Sequence, residues 1–235
     1  MFDDLKITLA SASPRRRDLL AGLDVAFTVE PGKDEKEAYT ADTPWQQVPE
    51  LLARHKSETF HRALEPGEVL ITADTLVFLP AGPAKSEGCG ADRDLPQQML
   101  ILGKPADREG ALTMLRELCG HTHYVLTGVC LRSLDKTVSF TDTTEVDVDV
   151  LSDDEIAYYV DTYRPYDKAG AYGVQEWFGY ASIGNIRGSF YNVMGLPVHK
   201  LYAALNNFAY TLFRYETSTA SSDGPFGFYL FSLGY

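Results

Sequence analysis

The sequence contains few cysteines and no long apolar run. No stretch of about 18 consecutive apolar residues occurs in the 235-residue chain, so no transmembrane helix is predicted. The residues after Met1 lack the basic and apolar regions of a signal peptide. The three cysteines, Cys89, Cys119 and Cys130, are odd in number and lack zinc-binding spacing, which favours a reducing compartment. These absences predict a cytoplasmic protein without membrane association.

Positive charge is also scarce. The chain has 21 Lys and Arg against 33 Asp and Glu, which gives a net charge of −12. A surface of this charge disfavours binding to nucleic-acid polymers and to anionic membranes, so an anionic ligand must find a local basic pocket. With 45% apolar residues the composition is that of a globular protein, and the length suits one large domain or two lobes that share a core.

Several catalytic motifs are missing. The sequence has neither a G-x-x-x-x-G-K-[ST] nor a G-x-G-x-x-G phosphate loop, and the absence of G-x-S-x-G disfavours nucleophilic acyl transfer. His121 and His123 alternate at the entry of a strand. Such a pair is expected at the protein surface rather than at a metal ion.

Helical and strand patterns alternate along the chain. Strands are predicted at 5–10, 69–79, 124–131 and 138–150, and helices at 13–22, 43–60, 107–119 and 152–163. This alternation is typical of the α/β class, and the long strands between 124 and 150 predict that part of the sheet is antiparallel.

The composition changes near the end of the chain. After Asn206, aromatic and small residues replace most of the charged ones. We interpret 209–235 as a terminal extension that is loose or lies on the surface, with an interface element as the alternative.

The segment 11–16, Ser-Ala-Ser-Pro-Arg-Arg, combines hydroxyl groups, the start of a helix and guanidinium groups. Ser13 suits the N-cap and Pro14 the first helical position. Free N–H groups at a helix start and bidentate arginines are well suited to bind a phosphate. The alternative is a capped surface helix with solvated arginines. Successive side chains on a helix point in different directions, so the three arginines at 15–17 cannot all reach one ligand.

Asp74 lies inside an apolar run, which is unusual for a charged residue. If buried, its carboxylate needs a cation, a metal ion or several hydrogen bonds, and the alternative is a hairpin turn. Lys104 lies in a Gly-Lys-Pro sequence that could hold an ammonium in one place. Asp34 and Glu35 taken alone would be solvated charges. The glycine-rich segment 167–175 allows close approach of the backbone to a ligand.

Taken together, these segments resemble one family. Their order is 11–16, Ala73-Asp-Thr75, Gly103-Lys-Pro105, Thr127-Gly-Val129, 167–175 (Asp-Lys-Ala-Gly-Ala-Tyr-Gly-Val-Gln) and 188–197 (Gly-Ser-Phe-Tyr-Asn-Val-Met-Gly-Leu-Pro). The same motifs occur in the same order in the Maf family of nucleoside triphosphate pyrophosphatases, and the resemblance covers about residues 5–208.

This resemblance implies a fold and a reaction. The expected fold is α/β, of the Maf and inosine-triphosphatase type, with two lobes around a deep cleft and a mixed, strongly twisted sheet over residues 1–208. The expected assembly is a homodimer. The expected reaction converts a nucleoside triphosphate and water into the monophosphate and pyrophosphate with a divalent cation, Mg²⁺ or Mn²⁺.

The resemblance also assigns roles to residues. Asp74 corresponds to the catalytic carboxylate, acting with Lys104, and the metal ligands would be Asp74, Asp34 and Glu35. The substrate-binding residues would be Ser11, Ser13, Arg15, Arg16, Lys56, Thr75, Lys168 and Gln175. Arg15, Thr75 and Gln175 match the branch that acts on dTTP and UTP, whereas the 7-methyl-GTP branch has Trp, Gln and Glu there. Hydrogen bonds from Thr75 and Gln175 to a pyrimidine are expected. The alternatives are a 7-methyl-GTP pyrophosphatase and a non-catalytic, nucleotide-binding regulator of cell division.

Overall fold

The strands and helices alternate much as the sequence predicts. The structure, a computed structural model, describes residues 5–32, 39–40, 42–81 and 98–219, with side chains up to residue 209. Within these residues the strands are β1 (Lys6–Leu9), β2 (Phe27–Val29), β3 (Glu68–Pro80), β4 (Met99–Leu102), β5 (Thr122–Arg132), β6 (Thr137–Val148) and β7 (Ile183–Arg187). The helices are α1 (Pro14–Ala21), α2 (Val48–Glu58), α3 (Arg108–Leu118), α4 (Asp153–Tyr163), α5 (Trp177–Ser182), α6 (Phe190–Met194) and α7 (Val198–Thr219), with a 3₁₀ turn at Ala169–Ala171.

The strands form a mixed sheet in the order β2-β1-β3-β5-β6-β7, and β4 also pairs with β3. β1 is parallel to β2 and to β3. All other pairs are antiparallel, and the long strands β5 and β6, which the sequence predicts to lie in an antiparallel part of the sheet, pair with each other. The predicted α/β class with a partly antiparallel sheet is therefore confirmed.

The long strand β3 has one continuous edge and one interrupted edge. On one edge it pairs with β5 over residues 70–78. On the other edge it pairs with β1 over 68–71 and with β4 over 77–80. Residues 72–76 have no strand partner on this edge in the described part of the chain. Because β1 is parallel and β4 antiparallel to β3, the carboxyl ends of both strands point into the gap beside Asp74.

Two hydrophobic cores lie on either side of this gap. The first joins β1, α1 and α7 and contains Ala73 of β3. The second joins α3, α4 and α5 and contains Val77. Asp74 and Thr75 therefore lie where β3 passes from one core to the other, between the two lobes that the sequence predicts.

Two details of the local predictions need correction. Helix α2 begins at Val48 rather than near Thr43, because Pro49 lacks an N–H group and fits only in the first helical turn. The alternative that Asp74 lies in a hairpin turn is wrong, since β3 continues through it without interruption.

The connection between β3 and β4 and the predicted extension are only partly described. Residues 82–97 connect β3 to β4 and lie outside the described residues, but a hydrogen bond of 3.0 Å from Ala81 N–H to the Gln98 carbonyl closes the base of this connection. Helix α7 crosses the predicted boundary at 208/209 without a break, and 220–235 lie outside the described residues. Among the described helices, none is long and apolar enough to cross a membrane.

Candidate active site

A cleft of about 340 Å³ occupies the gap in the sheet. Ten of the twelve predicted site residues lie in the described part of the chain, and all ten line this cleft: Ser11, Ser13, Arg15, Arg16, Lys56, Asp74, Thr75, Lys104, Lys168 and Gln175. The other two, Asp34 and Glu35, lie outside the described residues. The strand directions explain this convergence, because the chain leaving β1 carries Ser11 and the chain leaving β4 carries Lys104 into the gap.

Asp74 lies in the cleft with both carboxylate oxygens engaged. Lys56 of α2 donates to Oδ2 at 2.6 Å, and the backbone N–H of Thr75 donates to Oδ1 at 2.8 Å. The side chain is 19% exposed, so it is shielded yet open to a ligand. The Lys56 ammonium compensates the carboxylate charge that burial would otherwise penalise.

Close packing of α2 on the sheet brings Lys56 to Asp74. Gly128 of β5 pairs with Asp74, and a Cβ at Gly128 would lie 2.1 Å from the Pro49 carbonyl oxygen. The start of α2 therefore rests directly on the β5 backbone. Two residues before Asp74, Thr72 donates from Oγ1 to the Ala53 carbonyl in the middle of α2 at 2.6 Å. The last turn of the helix then carries Lys56 over Asp74.

The loop after β1 is held by its own serines. Ser13 is the N-cap of α1, and its Oγ accepts from Arg16 N–H at 3.5 Å. Ser11 Oγ accepts from Ser13 N–H at 3.2 Å. Arg15 and Arg16 point into the cleft, whereas Arg17 pairs with Asp18 at the surface, as the helical spacing requires.

Arg16 is fixed by a chain of hydrogen bonds that crosses the sheet. It donates from Nη2 to Thr75 Oγ1 at 2.9 Å and from Nε to the Gly195 carbonyl at 2.8 Å. Thr75 Oγ1 lies 2.9 Å from Thr127 Oγ1 and 3.4 Å from the Gly195 carbonyl oxygen, and Thr127 Oγ1 lies 3.1 Å from the Asn192 carbonyl oxygen. Burial lowers the pKa of the Arg16 guanidinium, and a nearby carboxylate partly offsets this.

This chain has a consequence for the expected role of Thr75. Its hydroxyl already accepts from Arg16, and its proton has acceptors within the protein at Thr127 and Gly195. Thr75 therefore lines the cleft but donates to a nucleobase only if its proton leaves these acceptors, whereas its second lone pair can accept a hydrogen bond. In the structure its hydroxyl holds Arg16.

The glycine-rich segment brings Lys168 and Asp167 to the opposite wall. Asp167 accepts from Arg15 Nη1 and from Lys168 Nζ, both at 2.8 Å. The Arg15 contact crosses the cleft from one lobe to the other. These two cations together lower the pKa of Asp167 against the opposing effect of desolvation.

Gln175 and Tyr172 also line the cleft. Gln175 Oε1 is buried and has no hydrogen-bond partner among the described residues. Tyr172 lines the cleft, and its hydroxyl lies 2.7 Å from Nε2 of His123. The expectation that His123 lies at the surface is wrong: it faces the core from β5, and burial lowers its pKa to about 3. A neutral imidazole is the form that suits this packing.

The donor set of the cleft suits one kind of metal site. No group of three or more His, Cys, Asp or Glu side chains close enough to hold a metal occurs in the described residues. Mg²⁺ is usually held by one or two carboxylates together with substrate phosphates rather than by an all-protein cage. Asp74 fits that arrangement, and the remaining oxygen ligands would come from the bound substrate.

Comparison with known proteins agrees with this arrangement. Residues 6–208 match the model of the family of Maf-like proteins. The chain belongs to the Maf family. It is 48% identical over 204 residues to the dTTP/UTP pyrophosphatase of Bacteroides thetaiotaomicron, covering 87% of this chain and 96% of the relative. The Maf proteins of Parabacteroides distasonis (46% over 203 residues; 86% and 96% coverage) and Flavobacterium psychrophilum (40% over 206 residues; 88% and 96%) carry the same name.

The sequence did not single out every residue that shapes the Maf cleft. Asp167, Thr127 and Asn192 lie inside the quoted motifs, so their position was visible, but no role was assigned to them. Glu176 directly follows the last motif residue, Gln175, and lies outside the motif. Their partners are distant in sequence, and only the fold brings them together.

Proposed function

We propose that this Maf protein hydrolyses dTTP and UTP to the monophosphate and pyrophosphate in the cleft between its lobes. The observation that carries the proposal is the position of Asp74, a shielded carboxylate among cationic side chains at the gap in the sheet. The name dTTP/UTP pyrophosphatase, shared by relatives at 40–48% identity, supports the choice of substrate.

The local charge of the cleft favours a triphosphate. Five cationic side chains and two carboxylates line its described part: Arg15, Arg16, Lys56, Lys104 and Lys168 against Asp74 and Asp167. The cleft is therefore positive although the whole chain has a net charge of −12. Such a site concentrates a polyanion and neutralises the oxygens that shield phosphorus from an attacking water.

The chemistry requires a water molecule at the α-phosphorus and stabilisation of the departing pyrophosphate. Asp74 orients that water and accepts its proton, for which its Oδ2 exchanges the Lys56 hydrogen bond for one from the water. Lys56, released from Asp74, and Lys104 then bind the phosphate oxygens as charge builds on them. A divalent cation, Mg²⁺ or Mn²⁺, held by Asp74 and phosphate oxygens would supply further charge neutralisation. Asp34 and Glu35 stay predicted ligands.

Gln175 Oε1, which has no hydrogen-bond partner within the described ranges, supports a base with a hydrogen-bond donor on its edge. Thymine and uracil present an N3–H beside the O4 carbonyl, so an amide can accept from the first and donate to the second. A buried acceptor without a partner is costly until a ligand satisfies it. Gln175 would thus favour these bases over an apolar ligand.

The decisive experiment compares Asp74→Asn with the wild type in pyrophosphate release from dTTP and UTP, with Mg²⁺ or Mn²⁺ present. We expect kcat to fall about 10²-fold or more, because the amide cannot accept the proton. Asp161→Asn, at a surface ion pair with Arg108, is the matched control and should keep normal turnover. Near-normal turnover of Asp74→Asn would remove this residue from the mechanism.

A panel of nucleotides tests the choice of base and the regulator hypothesis. Faster hydrolysis of GTP or 7-methyl-GTP than of dTTP and UTP would overturn the assignment of the base. Binding of dTTP without release of pyrophosphate under any metal would favour a regulator of cell division. A homodimer and a cytoplasmic location stay predictions, to be tested by sedimentation and by cell fractionation.

A further inference from the structure

A buried tyrosine and a glutamate lie directly behind the cleft wall. Tyr159 of α4 packs in the core of the second lobe, stacked on Tyr163 with ring centroids 5.1 Å apart. Its hydroxyl donates to Glu176 Oε2 at 2.5 Å and accepts from the backbone N–H of Gly173 at 3.0 Å. The same hydroxyl thus holds Glu176 and the glycine-rich segment that lines the cleft.

The second oxygen of Glu176 contacts a cation that lines the cleft. Glu176 Oε1 lies 3.1 Å from Lys168 Nζ, and the Lys168 side chain is only 9% exposed. An ammonium buried to this degree needs carboxylate partners to fix its position. Its other partner, Asp167, is 56% exposed and is shared with Arg15 on the opposite lobe. Glu176, at 19% exposed and anchored in the core, is the more firmly fixed of the two.

We propose that Glu176 is a positioning residue, held by the Tyr159 hydroxyl, that sets the Lys168 ammonium where it binds the triphosphate. The proposal rests on the proposed function, because it concerns the same cleft. Glu176 itself does not line the described cleft, so it acts through Lys168. Burial, aided by the Glu176 charge, raises the pKa of Tyr159, which keeps the phenol protonated and able to donate.

Two substitutions test the Glu176–Lys168 contact and the Tyr159–Glu176 contact separately. Glu176→Gln keeps an acceptor for Tyr159 but removes the charge that faces Lys168. Tyr159→Phe keeps the ring and removes the hydroxyl. Tyr163→Phe is the matched control, since it keeps the ring that stacks on Tyr159 and removes a hydroxyl that takes no part in these hydrogen bonds. Thermal melts of each variant establish that it is folded.

The measurements are steady-state hydrolysis of dTTP and calorimetric binding of its α,β-imido analogue, which cannot be cleaved at that bond. Because hydrogen bonds to charged groups are strong, we expect Glu176→Gln to raise KM and the dissociation constant of the analogue about tenfold. Its kcat should change far less. Tyr159→Phe should shift both in the same direction by a smaller factor, and Tyr163→Phe should match the wild type.

A double-mutant cycle tests whether Glu176 acts through Lys168. If it does, Glu176→Gln combined with Lys168→Met should bind the analogue no more weakly than Lys168→Met alone. Additive effects of the two substitutions on binding would overturn the proposal. So would a loss of similar size in kcat alone, or analogue binding by Glu176→Gln that matches the wild type. If the wild type binds the analogue but releases no pyrophosphate from dTTP, the proposed function fails. The double-mutant binding cycle then still decides the role of Glu176. A wild type that does not bind the analogue refutes both.

Discussion

Replacing Gly128 by alanine should disturb the cleft through the packing of α2 on β5. The added Cβ would lie 2.1 Å from the Pro49 oxygen and 2.3 Å from the Glu50 nitrogen, both in the backbone of α2. Carbon–oxygen contacts are normally about 3.3 Å or longer, so the start of α2 must move by about 1 Å. Such overpacking costs about 1–3 kcal/mol of unfolding free energy, which lowers Tm by roughly 2–12 °C in a chain of this size.

The same movement should reach catalysis, because α2 carries Lys56 to Asp74. Misplacement of a catalytic group by about 1 Å can cost about 10²-fold in rate, so we expect kcat/KM for dTTP to fall by up to that factor. Scanning calorimetry and pyrophosphate release measure the two effects. Gly103→Ala is the steric control, since a Cβ there meets no atom within 4 Å, and its Tm should stay near that of the wild type. An unchanged Tm for Gly128→Ala would refute the packing argument, and a lower Tm with normal kcat/KM would refute the coupling to Lys56.

Two further predictions concern Arg16 in the cleft and the ion pair of Arg62 and Glu68. Arg16→Lys should lower kcat/KM for dTTP at least about tenfold, because one ammonium cannot replace the separate Nη2 and Nε contacts to Thr75 and Gly195; equal kinetics would refute this. Hydrogen bonds from Arg62 lower the pKa of buried Glu68 from 4.5 to about 2, so its contribution to stability is complete above pH 4.5 and is lost as the pH falls toward 2. The difference in Tm between the wild type and Glu68→Gln should therefore be smaller at pH 3 than at pH 5. A difference that is the same at both pH values would contradict this prediction.

Local sequence determined much of the framework. The capping box of Ser152 and Glu155 and the Ser13-Pro14 start fixed the first residues of α4 and α1, because caps act within one helical turn. The apolar run around Asp74 predicted a buried strand with an unusual carboxylate. The start of α2 is not decided by local sequence, because Pro44 and Pro49 each suit a first helical turn.

The candidate residues could be named from their motifs, but their contacts could not. That Ser11, Asp74 and Lys104 meet in one gap follows from two strands ending on the same edge of β3, which depends on pairing between residues such as Ile7 and Val69 or Val77 and Leu102 that are far apart in the sequence. The burial of His123 was missed for the same reason, since a face becomes core only when another element covers it.

The sequence by itself determined the composition of the site: the carboxylate, the cations and the order of the motifs that contain them. The tertiary structure decided which of these side chains contact each other, including the commitment of Thr75 to Arg16 and of Glu176 to Tyr159 and Lys168. The physical reason is the sequence separation over which each kind of interaction acts. Capping and hydrophobic periodicity act over a few residues, whereas ion pairs and buried hydrogen bonds join groups that only the packing of the two lobes brings within about 3 Å.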